Sequence, residues 1–224
     1  MPIKNPWLSL GKQKPYVLSE DEPYVDEFNR HWRNDGSRRI NLNIPPTPFC
    51  GSTVAPVVIL FANPGIGVTD QREQTKPGAI EKIYAGFQKT RNAPFWPLLD
   101  EFENTNAGKW WTSKTRELSE HVGGKHELAM RLQQIDAHGY HSINWAPPLS
   151  NFPSQRYGFE LVRRAIERDA FIIIGRSQKY WYSAIPELRR YPRHVPRLVS
   201  NQSAYLTKAN LGRHYGKVLR ALKG

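Results

Sequence analysis

The chain predicts an α/β fold: a single-domain α/β/α sandwich around a central, mainly parallel four-stranded sheet. Three observations lead there. Residues 57–62 and 170–175 are apolar runs without alternation, as in strands buried on both faces. Stretches of helical character separate the strand candidates, which makes parallel pairing the natural topology. A length of 224 residues suits one domain with a sizeable core.

Taken in order, residues 1–18 are rich in Pro, Lys and Gly and read as an extended arm. Residues 19–33 open on a Ser followed by acidic residues and read as a helix. Together, residues 1–43 form an N-terminal extension with one helix, and 44–224 form the domain. Pro45, Pro46, Pro48 and Gly51 make residues 34–56 an irregular lead-in. The first strand is 57–62. Helices are predicted at 79–89 and 94–102, and the polar region 103–138 reads as helical, most clearly at 127–137. The second strand is 140–145, followed by a helix at 156–168. The third strand is 170–175, with a helix over 177–188 interrupted near Pro186. Residues 195–200 are the fourth strand and 208–222 a basic terminal helix.

Lys and Arg total 32 against 20 Asp and Glu, a net charge of +12, and aromatic residues make up 12%. Cations suit phosphates and flat rings suit unstacked bases, so this combination favours nucleic acid as partner over a membrane. The single cysteine, Cys50, excludes an internal disulfide and a cysteine-based metal site. His126-Glu127 begins no His-Glu-x-x-His motif, so no metal is expected, and no cofactor either. The amino-terminal residues carry no apolar signal core and no run reaches membrane-spanning length, so a cytoplasmic monomer is expected. Gly175-Arg176-Ser177 has the start of a nucleophile elbow, but Lys179 stands where the closing Gly belongs.

In open parallel sheets ligands bind at the carboxyl ends of the strands. The predicted exits are Asn63-Pro64-Gly65, Asn144-Trp145-Ala146, Gly175-Arg176-Ser177 and Asn201-Gln202-Ser203. Three carry an Asn and none a carboxylate. This order resembles the uracil-DNA glycosylase superfamily over about residues 44–224. Phe61-Ala62-Asn63-Pro64-Gly65 is similar to the Asn-Pro-Gly first motif of its mismatch-specific and single-strand-selective branches. Asn144 stands where the family's middle strand reads a flipped pyrimidine, and Asn201-Gln202-Ser203 where its last motif stands.

The resemblance implies a monofunctional DNA glycosylase that hydrolyses the bond between a pyrimidine and deoxyribose. Asn63 would position the water and Asn201 would donate to the departing base. Ala62, Pro64 and Gly65 would supply the backbone beside the base, and Asn144 its edge contacts. Phe87 or Phe95 would stack on the base, and Tyr205 or Leu206 would fill the space it leaves. Arg156, Ser203, Lys208 and Arg213 would grip DNA. The most active uracil enzymes carry Asp in the first motif and His in the last; this chain has Asn in both, and Gln202 replaces the family's Pro. Strict uracil enzymes exclude groups at C5 with a Tyr near the position of Gly65. The Gly implies tolerance of C5-modified cytosines, glucosylated hydroxymethylcytosine of phage DNA among them, beside uracil. The alternative is a DNA-binding protein on the same fold that has lost catalysis.

Overall fold

A computed structural model describes residues 3–67, 73, 76–88, 90–200 and 202–224. Its centre is strand β2 (Val57–Phe61), fully buried along its length. Strand β3 (Leu132–Asp136) pairs parallel with one edge of β2, and β4 (Phe171–Ile174) pairs parallel with the other. The short β5 (His194–Val195) extends the sheet beyond β4. Strand β1 (Phe49–Gly51) closes the far edge antiparallel to β3. The described sheet therefore has five strands in the order β1-β3-β2-β4-β5, one more than predicted.

Side chains alternate across a strand, and here that alternation sorts two cores. Val58, Leu60, Ile135, Ile172 and Ile174 face one side. Val57, Ile59, Phe61, Leu132, Phe171 and Ile173 face the other. The first face is covered by α1 (Glu22–His31), α2 (Pro77–Gln88), α5 (Gln155–Glu167) and α6 (Gln178–Ala184), through Val25, Phe28, Ile83, Phe87, Leu161, Val162 and Trp181. The second is covered by α3 (Asn106–Val122), α4 (Lys125–Ala129), α7 (Lys208–Leu211) and α8 (Tyr215–Lys223), through Trp111, Leu118, Leu128, Leu211, Val218 and Leu222. The α/β sandwich follows from this division. None of the described helices is long and apolar enough to cross a membrane.

Several elements differ from their sequence-based expectation. The helix expected over 127–137 stops at Ala129, and strand β3 follows almost at once. Residues 140–145 form no strand; His141 and Ser142 make single bridges to Asn41 and Gly65. The fourth strand is two residues long and lies at 194–195, because Pro196 has no N–H to continue the ladder. Pro94 and Pro97 reduce the helix expected at 94–102 to two 3-10 turns. In the lead-in, Gly51 ends β1 at a φ of 89°, and a Cβ there would stand 2.2 Å from the Leu132 carbonyl oxygen. Glycine alone lets the edge strand lie so close.

The amino-terminal segment packs into the core of the first face. Trp7 is buried against Phe87 and Tyr140, with ring centroids 6.0 and 5.6 Å apart. Asp21, fully buried, ties this segment to the start of α5. It accepts hydrogen bonds from the Tyr140 hydroxyl at 2.7 Å and the Ser154 N–H at 2.9 Å. Truncating it leaves two buried donors without an acceptor, each worth about 1–3 kcal/mol. Asp21→Ala is expected to lower stability by about 2–4 kcal/mol in urea unfolding. Measured with tryptophan fluorescence, the loss should appear as one earlier transition with an unchanged slope.

Candidate functional site

The chain leaves β2 for β3 on one side of it and then crosses to β4 on the other. A crevice at such a reversal opens at the carboxyl ends of the strands. A cavity of about 740 Å³ lies there. Its wall takes Phe61 and Asn63–Ile66 from the β2 exit, Gln134 and Asp136 from β3, Arg176 from the β4 exit and Tyr205 from the segment after β5. The first turns of α3 complete it with Lys109, Trp110, Trp111, Ser113 and Lys114. The size lies in the ordinary range of ligand pockets.

Asn63 is held in one orientation. Its Nδ2 donates to the Ser142 Oγ at 2.8 Å and to the Pro64 carbonyl at 3.2 Å. The Ser142 hydroxyl in turn donates to the Asn144 carbonyl at 3.0 Å. Its proton is thus committed, and Ser142 can only accept from Asn63. The amide is fixed with both hydrogens turned inward, which leaves Oδ1 as a free acceptor among the described residues. The loop is further held by the bridge of Gly65 to Ser142. A Cβ on Gly65 would meet no atom within 4 Å, so the space above it is open.

Asp136 is the acidic group on the cavity wall. It sits at the last position of β3, in register with Phe61, and is 3% exposed. Its Oδ2 accepts from the Gln134 amide at 2.5 Å, while Oδ1 has no hydrogen-bond partner among the described residues. Burial raises its carboxyl far above the usual carboxylate range, and the Gln134 bond offsets this only in part. Burial thus favours the protonated form of this carboxyl. The Cys50 thiol on the same wall is likewise kept protonated by burial. Behind the wall, burial and His141 push His138 down to about 3, so its ring is neutral and stacks on Trp145.

The rim is cationic and aromatic. Lys114 Nζ lies 3.5 Å from the Tyr205 ring centroid and 5.4 Å from that of Trp110. Trp110 packs edge-on against Phe61 and Trp111 and remains 37% exposed. Arg176 Nη2 donates to the Gln202 carbonyl, tying the segment after β5 to the β4 exit. Lys109, Lys114 and Arg176 line the cavity, and the raised Asp136 carboxyl opposes their positive field less than an ordinary carboxylate would.

Of the residues singled out from the sequence, Asn63, Pro64, Gly65 and Tyr205 meet at this cavity. Ala62 is buried just behind it, and its carbonyl accepts from the His138 N–H. Phe87 and Phe95 lie in opposite cores, 3% and 0% exposed, and neither lines the cavity. Asn144 stands at the surface, where its Nδ2 donates to the Ser37 Oγ at 2.9 Å. The exit beside β2 is Asp136, so the expectation that no strand exit carries a carboxylate is corrected. Leu206 is buried in the second core rather than projecting as a wedge. Arg156 borders a separate groove with Lys4 and Pro153. Ser203 hydrogen-bonds to Ser200, Lys208 caps onto Glu117, and Arg213 is exposed on the turn before α8. Asn201 lies outside the described residues. Sequence reasoning missed Asp136, Trp110, Lys109, Lys114 and Arg176. The adjacent Trp110-Trp111 pair on a basic helix was the available signal.

Asp136 fixes a pH dependence of stability. Below the ordinary carboxylate range both folded and unfolded chains carry its proton. Above about pH 4 the unfolded chain releases the proton and the folded one keeps it, so this residue's contribution falls as pH rises toward its folded pKa. Asp136→Asn removes that term and nearly preserves the shape. Its melting temperature relative to the parent is expected to rise between about pH 4 and about pH 8. A constant difference across that range would mean that the carboxyl ionises normally. Compared with protein-family models, curated proteins and solved structures, the chain finds no match.

Proposed function

We propose that the protein is a DNA glycosylase that accepts a flipped pyrimidine nucleotide and hydrolyses its N-glycosidic bond, leaving an abasic site. The observation that carries this reading is the fixed Asn63 amide, its Oδ1 unpaired among the described residues, on the wall of a cavity rimmed by cations and aromatic rings. Bond cleavage between base and sugar passes through a cationic, oxocarbenium-like sugar. It needs a held water more than a strong base. An amide oxygen cannot abstract a proton, but it can hold a water in line with the sugar carbon. Trp110 and Tyr205 offer faces on which a base or its neighbours stack, worth about 1–3 kcal/mol per base. Lys109, Lys114 and Arg176 suit the flanking phosphates. The open space above Gly65 supports tolerance of a C5 substituent, as on hydroxymethylcytosine or its glucosylated form, with uracil as the smaller substrate. Excision of such bases serves repair or defence against phage DNA.

The second reading, DNA binding without catalysis, is favoured by the Asn at the first motif and by Gln202 in place of Pro. One experiment separates the two. The protein is incubated with duplexes carrying uracil, a thymine mismatch, hydroxymethylcytosine or glucosylated hydroxymethylcytosine, and abasic sites are revealed as alkali-induced breaks. Breaks are expected with at least one duplex. Asn63→Ala should reduce them about 100-fold or more while leaving salt-sensitive DNA binding intact. Gly65→Tyr, which has room for its ring, should block C5-substituted bases and spare uracil. DNA binding without breaks on any duplex would select the second reading.

A further inference from the structure

The reading above leaves Asp136 without a task, yet it is the least ordinary group in the cavity. It is 97% buried by its 3% exposure, it lines the cavity at the exit of β3, and one of its oxygens has no partner. A structural carboxyl at such depth normally has both oxygens satisfied. The unsatisfied atom is specific. Gln134 donates to Oδ2, which makes Oδ2 the carbonyl-like oxygen and leaves the acid hydrogen to Oδ1. The cavity wall therefore includes a carboxyl that, protonated, is a hydrogen-bond and proton donor; Oδ1 itself has almost no accessible surface, so the side chain must turn to present it to a base.

An acid in this place matters for some bases and not for others. A uracil-type ring departs as an anion whose charge spreads over two carbonyl oxygens, so hydrogen-bond donors are enough to help it leave. A cytosine-type ring has an amino group at C4 in place of the second carbonyl. It carries negative charge poorly, and its N3 has a lone pair open to protonation. Release of such a base is fast only if a proton reaches N3 as the bond to the sugar breaks. An Asn at the β3 exit could hydrogen-bond either ring but could protonate neither; a neutral Asp can do both.

We propose that Asp136 is the general acid of this site and that the base released is a 4-aminopyrimidine of the cytosine type. The proposal rests on the glycosylase reading and names its substrate class. In the step, the bond from N1 to the sugar C1′ breaks and its electron pair passes into the ring. The Asp136 Oδ1 proton passes to N3, and the base departs neutral. The water oxygen bonds to C1′, and the proton that water gives up returns through solvent to Asp136. One water is consumed, and a free base and an abasic sugar are formed. Burial favours the protonated form that this step requires. The titratable groups that share its wall are Cys50 of β1, His141 after β3, Arg176 after β4, Lys109 and Lys114 of α3, and Tyr205.

The test is single-turnover base release from duplexes carrying one hydroxymethylcytosine or one uracil at the same position. The wild-type protein is expected to release hydroxymethylcytosine, at a rate that falls as the pH rises from about 6 to about 9. Asp136→Asn, checked for folding by its melting curve and for unchanged DNA affinity, is expected to lose about 100-fold or more on hydroxymethylcytosine and the alkaline fall with it. On uracil the same variant should change less than about 10-fold. Release of uracil but not hydroxymethylcytosine by the wild type would overturn the assignment and leave the glycosylase reading standing. So would equal losses on both bases, or a wild-type rate on hydroxymethylcytosine that is flat with pH. Release of neither base would overturn both.

Discussion

Everything at the cavity depends on the double pairing of β2. Parallel hydrogen bonding on both edges, to β3 and to β4, removes this strand from solvent entirely. Its five apolar side chains then divide between two cores, and the helices on each face pack on that division. Because the chain turns to opposite sides after β2 and β3, a crevice opens at the carboxyl ends of the central strands among the described residues. The loop Asn63-Pro64-Gly65 emerges into that crevice. Ser142 anchors it from the β3 side, and Arg176 reaches across from the β4 side.

The same depth of burial gives the cavity its electrostatics. A carboxylate at Asp136 would need a cation or several donors around it; Gln134 supplies one neutral donor. Burial favours the protonated form instead, which puts an acid in the cavity wall without a negative charge. The cations at the rim then act on an incoming polyanion with less cancellation from within. In the proposed reaction the amide of Asn63 and the acid of Asp136 would divide two tasks that one side chain cannot perform together: holding water on the sugar side, and donating to the leaving group.

Much of the architecture was legible because β2 and β4 are continuous apolar runs, a pattern that only a strand buried on both faces requires. Strand β3 was not. Its sequence, Leu-Gln-Gln-Ile-Asp, carries three polar residues, and it follows a genuine helix so closely that the helical pattern runs through it. Gln133 is fully buried with neither amide atom paired, which no rule of composition anticipates. The stretch at 140–145 looks like a strand because aromatic residues in it are held by side-chain contacts, Tyr140 on Asp21 and Trp145 on His138. Misplacing that strand put Asn144, rather than Asp136, at the strand exit beside β2. The first motif at Asn63 was legible, since its turn residues follow the clearest strand directly. Phe87 and Phe95 were not separable from core residues by sequence, because stacking platforms and core fillers use the same side chains.

The measurement that bears most directly on this account is a carbon-13 NMR titration of the Asp136 carboxyl, assigned by comparison with Asp136→Asn. A resonance that stays at the protonated position at neutral pH and moves only in the alkaline range is the predicted result. A carboxyl that titrates near the ordinary value of about 4 would contradict it. The cavity would then hold an anion where the account requires an acid.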